Sequence, residues 1–320
     1  MTDTVENVWR RVLLHCPQAT PFLAKNWVQT AYNRLCGRKA FSWLRGESQF
    51  LIDAQRQGTV TATYLSPTIT GVTLVFATSD IGRQWRNTSG PPYTIIDVNT
   101  ILNTATLDEP YGSPSTTSNS TILDAYLTLP YDFGTFIAVL DPANGWQLRT
   151  DRTQDELNLW DSKRISTGTP WCIAARKLST GIAAQQGRVQ YELWPYCTSI
   201  HRYPYYYYKS PETLADGDYF KGALRERSDV ILTGALAEAA LWPGPSAEKR
   251  NPYFNMQIAN TMAAKFEEQA NAIEARDEEI YMTWLETTNF ARVPFAPIDS
   301  TFMRDHDYPD MGQFAGINYV

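Results

Sequence analysis

The chain has 320 residues, of which 43% are hydrophobic and 19% are charged, and its net charge is −6. This composition is that of a globular protein with enough apolar material for a sizeable core. The acidic balance and the lack of a Lys/Arg-rich run disfavour a protein that grips nucleic acid directly, because neutralisation of phosphate dominates that affinity. The first residues lack the features of a signal peptide, and no run reaches the length of a membrane span. We therefore expect a soluble protein made in a reducing cytoplasm.

Two amphipathic helices are predicted at the start of the chain. The first covers residues 3–16, with Asp3 and Glu6 in the N-cap and N3 positions. Its apolar residues follow the spacing of one helical face, namely Trp9, Val12, Leu13 and Cys16. The second helix begins at Thr20, which a proline follows, and ends at Gly37. Two such short helices cannot bury their apolar stripes against each other alone, so they need a partner elsewhere in the chain.

After about residue 50 the spacing of the apolar residues is no longer that of helices. Short runs of β-branched and aromatic residues alternate with turn-forming stretches, which predicts an antiparallel β barrel or sandwich. The predicted strands are 59–64, 71–76, 93–98, 104–107, 125–129, 136–140, 171–174 and 189–194. We expect the Ser/Thr-rich segment 113–121 to be an exposed loop and residues 151–161 to contain a short helix.

A tyrosine-rich segment, Tyr203-Pro204-Tyr205-Tyr206-Tyr207-Tyr208, follows the last of these strands. Alternate side chains of an extended segment point in opposite directions, so we predict that this segment is covered on both sides. Stacking of sugar rings on the tyrosines is the alternative interpretation.

Helical pattern returns in the last third of the chain. One helix is predicted from about Gly217 to Trp242-Pro243-Gly244-Pro245, where the prolines end it. The next begins with Asn251-Pro252 as its cap and, if unbroken to Thr287, is about 50 Å long. A helix of that length should project from the domain or line something. Prolines at 294, 297 and 309 then preclude a regular element, and the aromatic tail that carries them should find a surface.

These observations predict an α+β protein. A helical bundle formed by the N- and C-terminal segments, residues 1–45 and 213–290, is a discontinuous domain. Residues 46–212 form an inserted β-rich domain, an antiparallel barrel or sandwich. Residues 291–320 form an extended C-terminal tail.

Motifs of common enzymes and metal sites are absent from the sequence. It has no GxSxG, Walker A, HExxH or GxGxxG motif, and the four cysteines and three histidines lack the spacing of a zinc site. Carboxylates cluster at Asp108-Glu109, within 151–156 and at Asp277-Glu278-Glu279. A glycosidase needs two carboxyl groups that face each other across a sugar, and the spacing places none of these so. We therefore predict no catalytic site, no metal and no cofactor.

The helical segments resemble a known family. Leu224–Ala240, Asn251–Asn255 and Phe266–Glu268 resemble the C-terminal helices of tailed-bacteriophage head-to-tail adaptor (connector, or neck) proteins. Trp9–Leu14 and Pro21–Trp27 resemble the opening helices of that family. The similarity covers the order of elements over most of the chain. The large β-region is a departure, since the smallest adaptors are almost wholly helical.

The resemblance implies a structural virion protein of the head–tail neck, synthesised in the host cytoplasm. Such proteins form a homo-oligomeric ring, usually a dodecamer, between the portal protein and a tail or nozzle protein. DNA is then a partner only in passage through the lumen, and no membrane is involved. By this analogy the channel-facing residues are Asp277, Glu278 and Glu279. The portal interface falls in the tail, at Phe295, Phe302, Tyr308, Phe314 and Tyr319.

Two other functions fit the same sequence. A tail-associated or receptor-binding virion module would bind host glycan through its β-domain and would assemble as a trimer. A carbohydrate-active enzyme would lose turnover when one carboxylate is replaced. The adaptor hypothesis instead predicts a larger ring and binding to the portal protein.

Overall fold

The computed structural model describes residues 3–88, 92–179, 182, 185–246 and 248–288, with side chains described up to Glu279 in the last helix. The chain divides into two compact units: a helical unit of Met1–Arg45 with Ser210–Val320, and a β unit of Gly46–Lys209. Both helices and sheets are present, one sheet being a closed barrel, which confirms the predicted α+β class.

The described helices are α1 (Val5–His15), α2 (Pro21–Cys36), α3 (Gln154–Trp160), α4 (Asp229–Leu241) and α5 (Met256–Thr288). The described strands are β1 (Arg45–Ile52), β2 (Arg56–Ala62), β3 (Thr68–Gly71), β4 (Gln84–Arg86), β5 (Tyr93–Asn99), β6 (Thr104–Leu107), β7 (Thr116–Leu123), β8 (Tyr126–Thr128), β9 (Phe133–Asp141), β10 (Trp146–Thr153), β11 (Cys172–Leu178), β12 (Val189–Trp194) and β13 (His201–Lys209).

Side-chain caps fix where the N-terminal helices begin. In α2 the hydroxyl of Thr20 accepts a hydrogen bond from the Leu23 N–H at 3.3 Å, as the sequence predicts. In α1 the prediction of Asp3 as the cap is wrong, because the Thr4 hydroxyl accepts from the Asn7 N–H instead. The Asp3 carboxylate accepts hydrogen bonds from Arg11 at 3.2 Å and from the Ser228 hydroxyl at 2.8 Å. It therefore ties α1 to the start of α4.

The C-terminal helices begin later than the sequence predicts. Gly222 has a φ of +57°, and a Cβ there would lie 2.4 Å from the Trp43 ring, so this stretch forms a short 3-10 turn before α4 starts at Asp229. The predicted cap Asn251 is also wrong: its buried side chain donates to the Trp242 carbonyl at 2.9 Å. Asn255 caps α5 by accepting from the Gln257 N–H at 2.8 Å. Asn251 thus serves the end of α4 rather than the start of α5.

The core of the helical unit forms where α2, α4 and α5 meet. A Cβ added to Gly234 of α4 would lie 2.8 Å from the Phe266 ring of α5 and 2.9 Å from Ala31 of α2. Only a residue without a side chain allows this close approach. Phe266 is fully buried, and Trp27 packs against Trp242 with ring centroids 5.7 Å apart. The apolar stripe of α2 is therefore covered by helices from the other end of the chain.

The segment that leads into α4 is also held by the N-terminal helices. Thr4 forms a β-bridge with Tyr219, and the Glu6 N–H donates to the Asp216 carbonyl. The Asp216 carboxylate accepts a hydrogen bond from Trp9 Nε1 at 3.1 Å and pairs with Lys25 Nζ at 2.6 Å. One acidic side chain thus joins α1 and α2 to the returning chain.

The β unit contains two sheets. Six strands form a closed barrel in the order β2-β3-β6-β5-β4-β7, with β7 pairing back to β2. Seven strands form a second sheet in the order β1-β13-β9-β10-β11-β12-β8. The predicted antiparallel arrangement is wrong at one place, since β10 and β11 are parallel. The crossover that a parallel pair requires is supplied by α3.

Two sequence interpretations within the β unit are corrected by the structure. The strand predicted over 71–76 does not form, since β3 ends at Gly71. Beyond that point the Asn103 amide donates to the Gly71 and Leu74 carbonyls at 2.9 Å, and its oxygen accepts from the Phe76 N–H. The Ser/Thr-rich segment predicted as an exposed loop contains β7, which pairs with both β2 and β4. Its inward residues Ser120 and Ile122 are buried.

The tyrosine-rich segment is β13, and only one of its faces is buried. Tyr203, Tyr205 and Tyr207 lie in the apolar core of the seven-stranded sheet. Tyr206 points the other way and is 38% exposed. The prediction of cover on both sides is therefore wrong for the outer face.

Replacement of Phe266 tests the packing of the three helices. We expect Phe266→Ala to lower the free energy of unfolding by about 3–5 kcal/mol, because it leaves a cavity between α2, α4 and α5. Phe254→Ala, at an exposed position just before α5, is the control and should change stability by less than about 0.5 kcal/mol. Denaturant unfolding followed by circular dichroism measures both. Equal losses would show that the two rings have similar surroundings.

Asp216 predicts a particular loss of stability in acid. Its pKa is lowered from 3.8, chiefly by the hydrogen bond from Lys25. A depressed carboxyl pKa contributes stability that is complete above the unfolded value and is lost as the pH falls through the folded one. We expect Asp216→Asn to flatten the fall in unfolding midpoint below about pH 4. Asp97→Asn, at an exposed strand position, should leave that slope unchanged, and an unaltered slope in Asp216→Asn would contradict the assignment.

Candidate interaction surfaces of the helical unit

Basic side chains at the end of α2 pair with acidic side chains of α5. The pairs are Arg34–Glu267 at 2.6 Å, Arg38–Glu274 at 2.5 Å and Lys39–Glu278 at 2.6 Å. The hydrogen bond to Glu274 is the main reason why the pKa of Arg38 is raised. Each pair is partly exposed and contributes at most about 1 kcal/mol. Together they place positive charge beside the acidic residues of α5.

Asp277 belongs to the interior of the helical unit. It is 3% exposed, and its carboxylate accepts hydrogen bonds from the Ser42 N–H at 3.0 Å and from the Ser42 hydroxyl. Ser42 starts the short 3-10 turn that precedes β1. Asp277 therefore holds the end of the N-terminal segment against α5 instead of facing solvent.

Glu278 and Glu279 are the exposed members of the predicted channel-facing set. Their side chains are 68% and 65% exposed. Glu278 pairs with Lys39, and Glu279 pairs with Arg276 of the same helix at 2.6 Å. The structure thus brings the three acidic residues to one turn of α5 and separates Asp277 from the other two. Their role at a channel stays a prediction.

An apolar surface at one end of the helical unit is not predicted by the sequence analysis. Its side chains are exposed by between 46% at Leu241 and 82% at Leu14. We call this surface the apolar end; its residues are Leu14, Phe22, Leu241, Phe254 and Met256. The sequence pattern places none of these five residues on the core face of a helix. The signal that could have identified them is their position at or next to the ends of the predicted helices.

Contacts of neighbouring residues join the ends of α1, α4 and α5 at the apolar end. The ring of His15, next to Leu14, lies 5.4 Å from the Tyr253 ring, next to Phe254. The Asn255 N–H donates to the Ala240 carbonyl at 3.1 Å, which joins the end of α4 to the start of α5. A fixed set of exposed apolar side chains is typical of a surface that another protein covers.

In the other carboxylate clusters, two carboxyl groups have lowered pKa values. The pKa of Glu109 is lowered by its hydrogen bond with Lys177, and the pKa of Asp151 is lowered by its hydrogen bond with Arg149. A general acid for sugar hydrolysis needs a raised pKa and an opposed partner. These pairs have the properties of surface ion pairs.

The predicted portal-interface residues Phe295, Phe302, Tyr308, Phe314 and Tyr319 lie outside the described residues. Within the described part of the chain, no group of three His, Cys, Asp or Glu residues is placed to bind a metal ion. The described helices include none with the length and hydropathy of a membrane span.

A family model described as SU10 adaptor protein matches residues 102–289. This chain belongs to that family of bacteriophage head-to-tail adaptors. The matched range starts inside the barrel, just before β6, and runs through α5, so most of the large β-region lies within it. The opening helices α1 and α2 precede it. The chain has no match among curated proteins.

Loss of the Asp277 carboxylate tests its internal role. We expect Asp277→Ala to lower the free energy of unfolding by about 1–3 kcal/mol, because the partly buried Ser42 N–H and hydroxyl lose their acceptor. Glu279→Ala, two residues further along the same helix, is the control and should cost less than about 0.5 kcal/mol. Thermal and denaturant unfolding measure the difference. If the two variants were equally stable, Asp277 would be a surface residue.

Proposed function

We propose that this adaptor is a structural subunit of the head–tail neck, which forms a homo-oligomeric ring, a dodecamer by analogy, between the portal protein and a tail or nozzle protein. The observation that carries the proposal is the family match, which spans strands of both sheets and the two C-terminal helices. In this proposal the protein has a structural role and catalyses no reaction.

The helical unit supplies the surface that a ring contact needs. Each copy in a closed ring contacts its neighbours through two different patches, so an exposed apolar patch on one side meets a different surface on the next copy. The apolar end is such a patch, and its residues are held by contacts from α1, α4 and α5. We assign it to contact with another virion subunit.

The two ends of the chain are proposed to form one helical bundle, with the β unit as an insertion and residues 291–320 as an extended tail. The contacts of Ala31 with Gly234 and of Trp27 with Trp242 support the bundle. The tail is proposed to contact the portal protein through its five aromatic residues. Its composition supports this, since apolar aromatic side chains at proline-broken positions gain most by binding a surface.

Passage of DNA requires a lumen that does not hold phosphate. The 33-residue α5 is about 50 Å long, which suits a wall element. Its acidic residues pair with Arg34, Arg38 and Lys39, so the basic side chains near α5 have carboxylate partners. Glu278 and Glu279 are proposed to face the lumen, with DNA repelled weakly and bound nowhere along this surface.

Binding to isolated portal rings tests the proposal. We expect the full chain to join the portal rings as a ring of its own, visible by electron microscopy and mass photometry. Deletion of 291–320 should weaken portal binding at least about tenfold, a loss of roughly 1.4 kcal/mol, because the tail contacts are removed.

A second variant separates the aromatic side chains from tail length. It carries serine at Phe295, Phe302, Tyr308, Phe314 and Tyr319 and should lose portal binding to a similar extent. Undiminished binding by both variants would remove the tail from the portal interface. A full chain that stays monomeric on portal rings would contradict the ring itself.

A further inference from the structure

The outer face of the seven-stranded sheet carries a polar cleft at its β1 edge. Side chains alternate along β13, so that Tyr205 faces the core while Arg202 and Tyr206 face outward. On the neighbouring strand β1, Glu47 and Gln49 are exposed. The cleft between them has a volume of about 410 Å³. Clefts of this size hold small ligands.

Three polar side chains of this cleft have no partner among the residues that the structure describes. The side chains of Glu47, Gln49 and Arg202 form no hydrogen bond and no ion pair with any described residue. By contrast, the nearby Lys209 pairs with Asp132 at 3.6 Å. A carboxylate, an amide and a guanidinium therefore line one cleft with their hydrogen-bonding capacity unused.

The floor beneath the cleft is closely packed. The Tyr205 ring stacks on Phe50 of β1 with centroids 4.3 Å apart. Gly46 leaves room for Tyr207, whose ring would lie 2.9 Å from a Cβ at that position. The outward side chains thus project from two strands that are locked together by packing on the inner face.

The chemistry of the lining selects among ligand classes. The Glu47 carboxylate repels phosphate and nucleic acid because both are negatively charged. The polar lining disfavours an apolar ligand, because such a ligand would cover polar groups without hydrogen-bonding to them. A neutral ligand with many hydroxyl groups satisfies all the unpaired groups, because a carboxylate accepts from hydroxyls and a guanidinium donates to them. The exposed Tyr206 ring offers an apolar face to the C–H side of a sugar ring.

We propose that this cleft binds a carbohydrate, with Tyr206 stacking on a sugar ring and Glu47 and Arg202 bound to its hydroxyl groups. This goes beyond the role at the neck. Every copy of a ring would carry one cleft, so a repeating surface polysaccharide would bind with an avidity far above that of a single site.

The test uses the full chain on a microarray of bacterial lipopolysaccharide O-chains and capsular polysaccharides, with saturation-transfer NMR on an oligosaccharide fragment of each polysaccharide retained. We expect binding by the unmodified protein and a loss of about tenfold in Tyr206→Ala, because the stacking surface is removed. Glu47→Ala, at an exposed strand position, is the second variant and should lose a similar factor. Tyr64→Ala, which removes an exposed tyrosine from a barrel turn, is the matched control and should bind as the unmodified protein does.

Two results would overturn the proposal. One is the absence of binding to every polysaccharide on the array and of any saturation transfer from their oligosaccharides. The other is equal binding by the unmodified protein, Tyr206→Ala and Glu47→Ala, with all three shown to be folded by circular dichroism. If Tyr206→Ala fails to fold, the Glu47→Ala variant and the Tyr64→Ala control decide the outcome alone.

Discussion

The helical unit depends on the close approach of α2, α4 and α5 at Ala31, Gly234 and Phe266. The first two helices of the chain are too short to form a core by themselves. Their apolar faces are buried only by contact with residues about two hundred positions later in the chain. Contacts of such high sequence separation form late and cost loop-closure entropy. The β unit lies within that loop. Its first and last strands, β1 and β13, are neighbours in the seven-stranded sheet, so its fold holds the two ends of the loop close together.

Charge in this protein is mostly used to join segments. Asp216 binds Trp9 and Lys25, and Asp277 binds Ser42, so that two acidic residues from the C-terminal part hold the N-terminal segment at both ends. The partly exposed ion pairs between the end of α2 and α5 also fix which residues of the two segments lie opposite each other. Side chains that are already paired in this way are less available to bind other molecules.

Much of the architecture follows from local sequence. The start of α2 at Thr20 was predictable because a hydroxyl cap is a local requirement, and the helix ends at Cys36, directly before the predicted stop at Gly37. The short strands β5, β6 and β12 also agree with their β-branched pattern. The family could be named from the helical segments because the order of the helices is visible without the structure.

The structural features that the sequence does not predict depend on contacts between residues that are distant in the chain. The Asn103 side chain terminates β3 from across a turn, and β7 is a strand because β2 and β4 lie on either side of it. From the sequence alone, Asp277 is expected on the solvent-exposed face of its helix, because nothing local shows that Ser42 lies beside it. The cleft at Tyr206 needs β1 next to β13, and no local pattern shows that two strands over 150 residues apart are neighbours.

That neighbouring pair has an architectural consequence. β1 and β13 are the first and last strands of the β unit, and a Cβ at Gly46 would lie 2.8 Å from the Lys209 side chain. The chain therefore leaves and rejoins the helical unit at two adjacent points. An inserted unit whose two ends are adjacent can be lengthened, exchanged or removed by recombination without moving the two chain segments that flank it. The geometry thus allows a β unit of different size to be accommodated at this point while the helical unit keeps its own contacts.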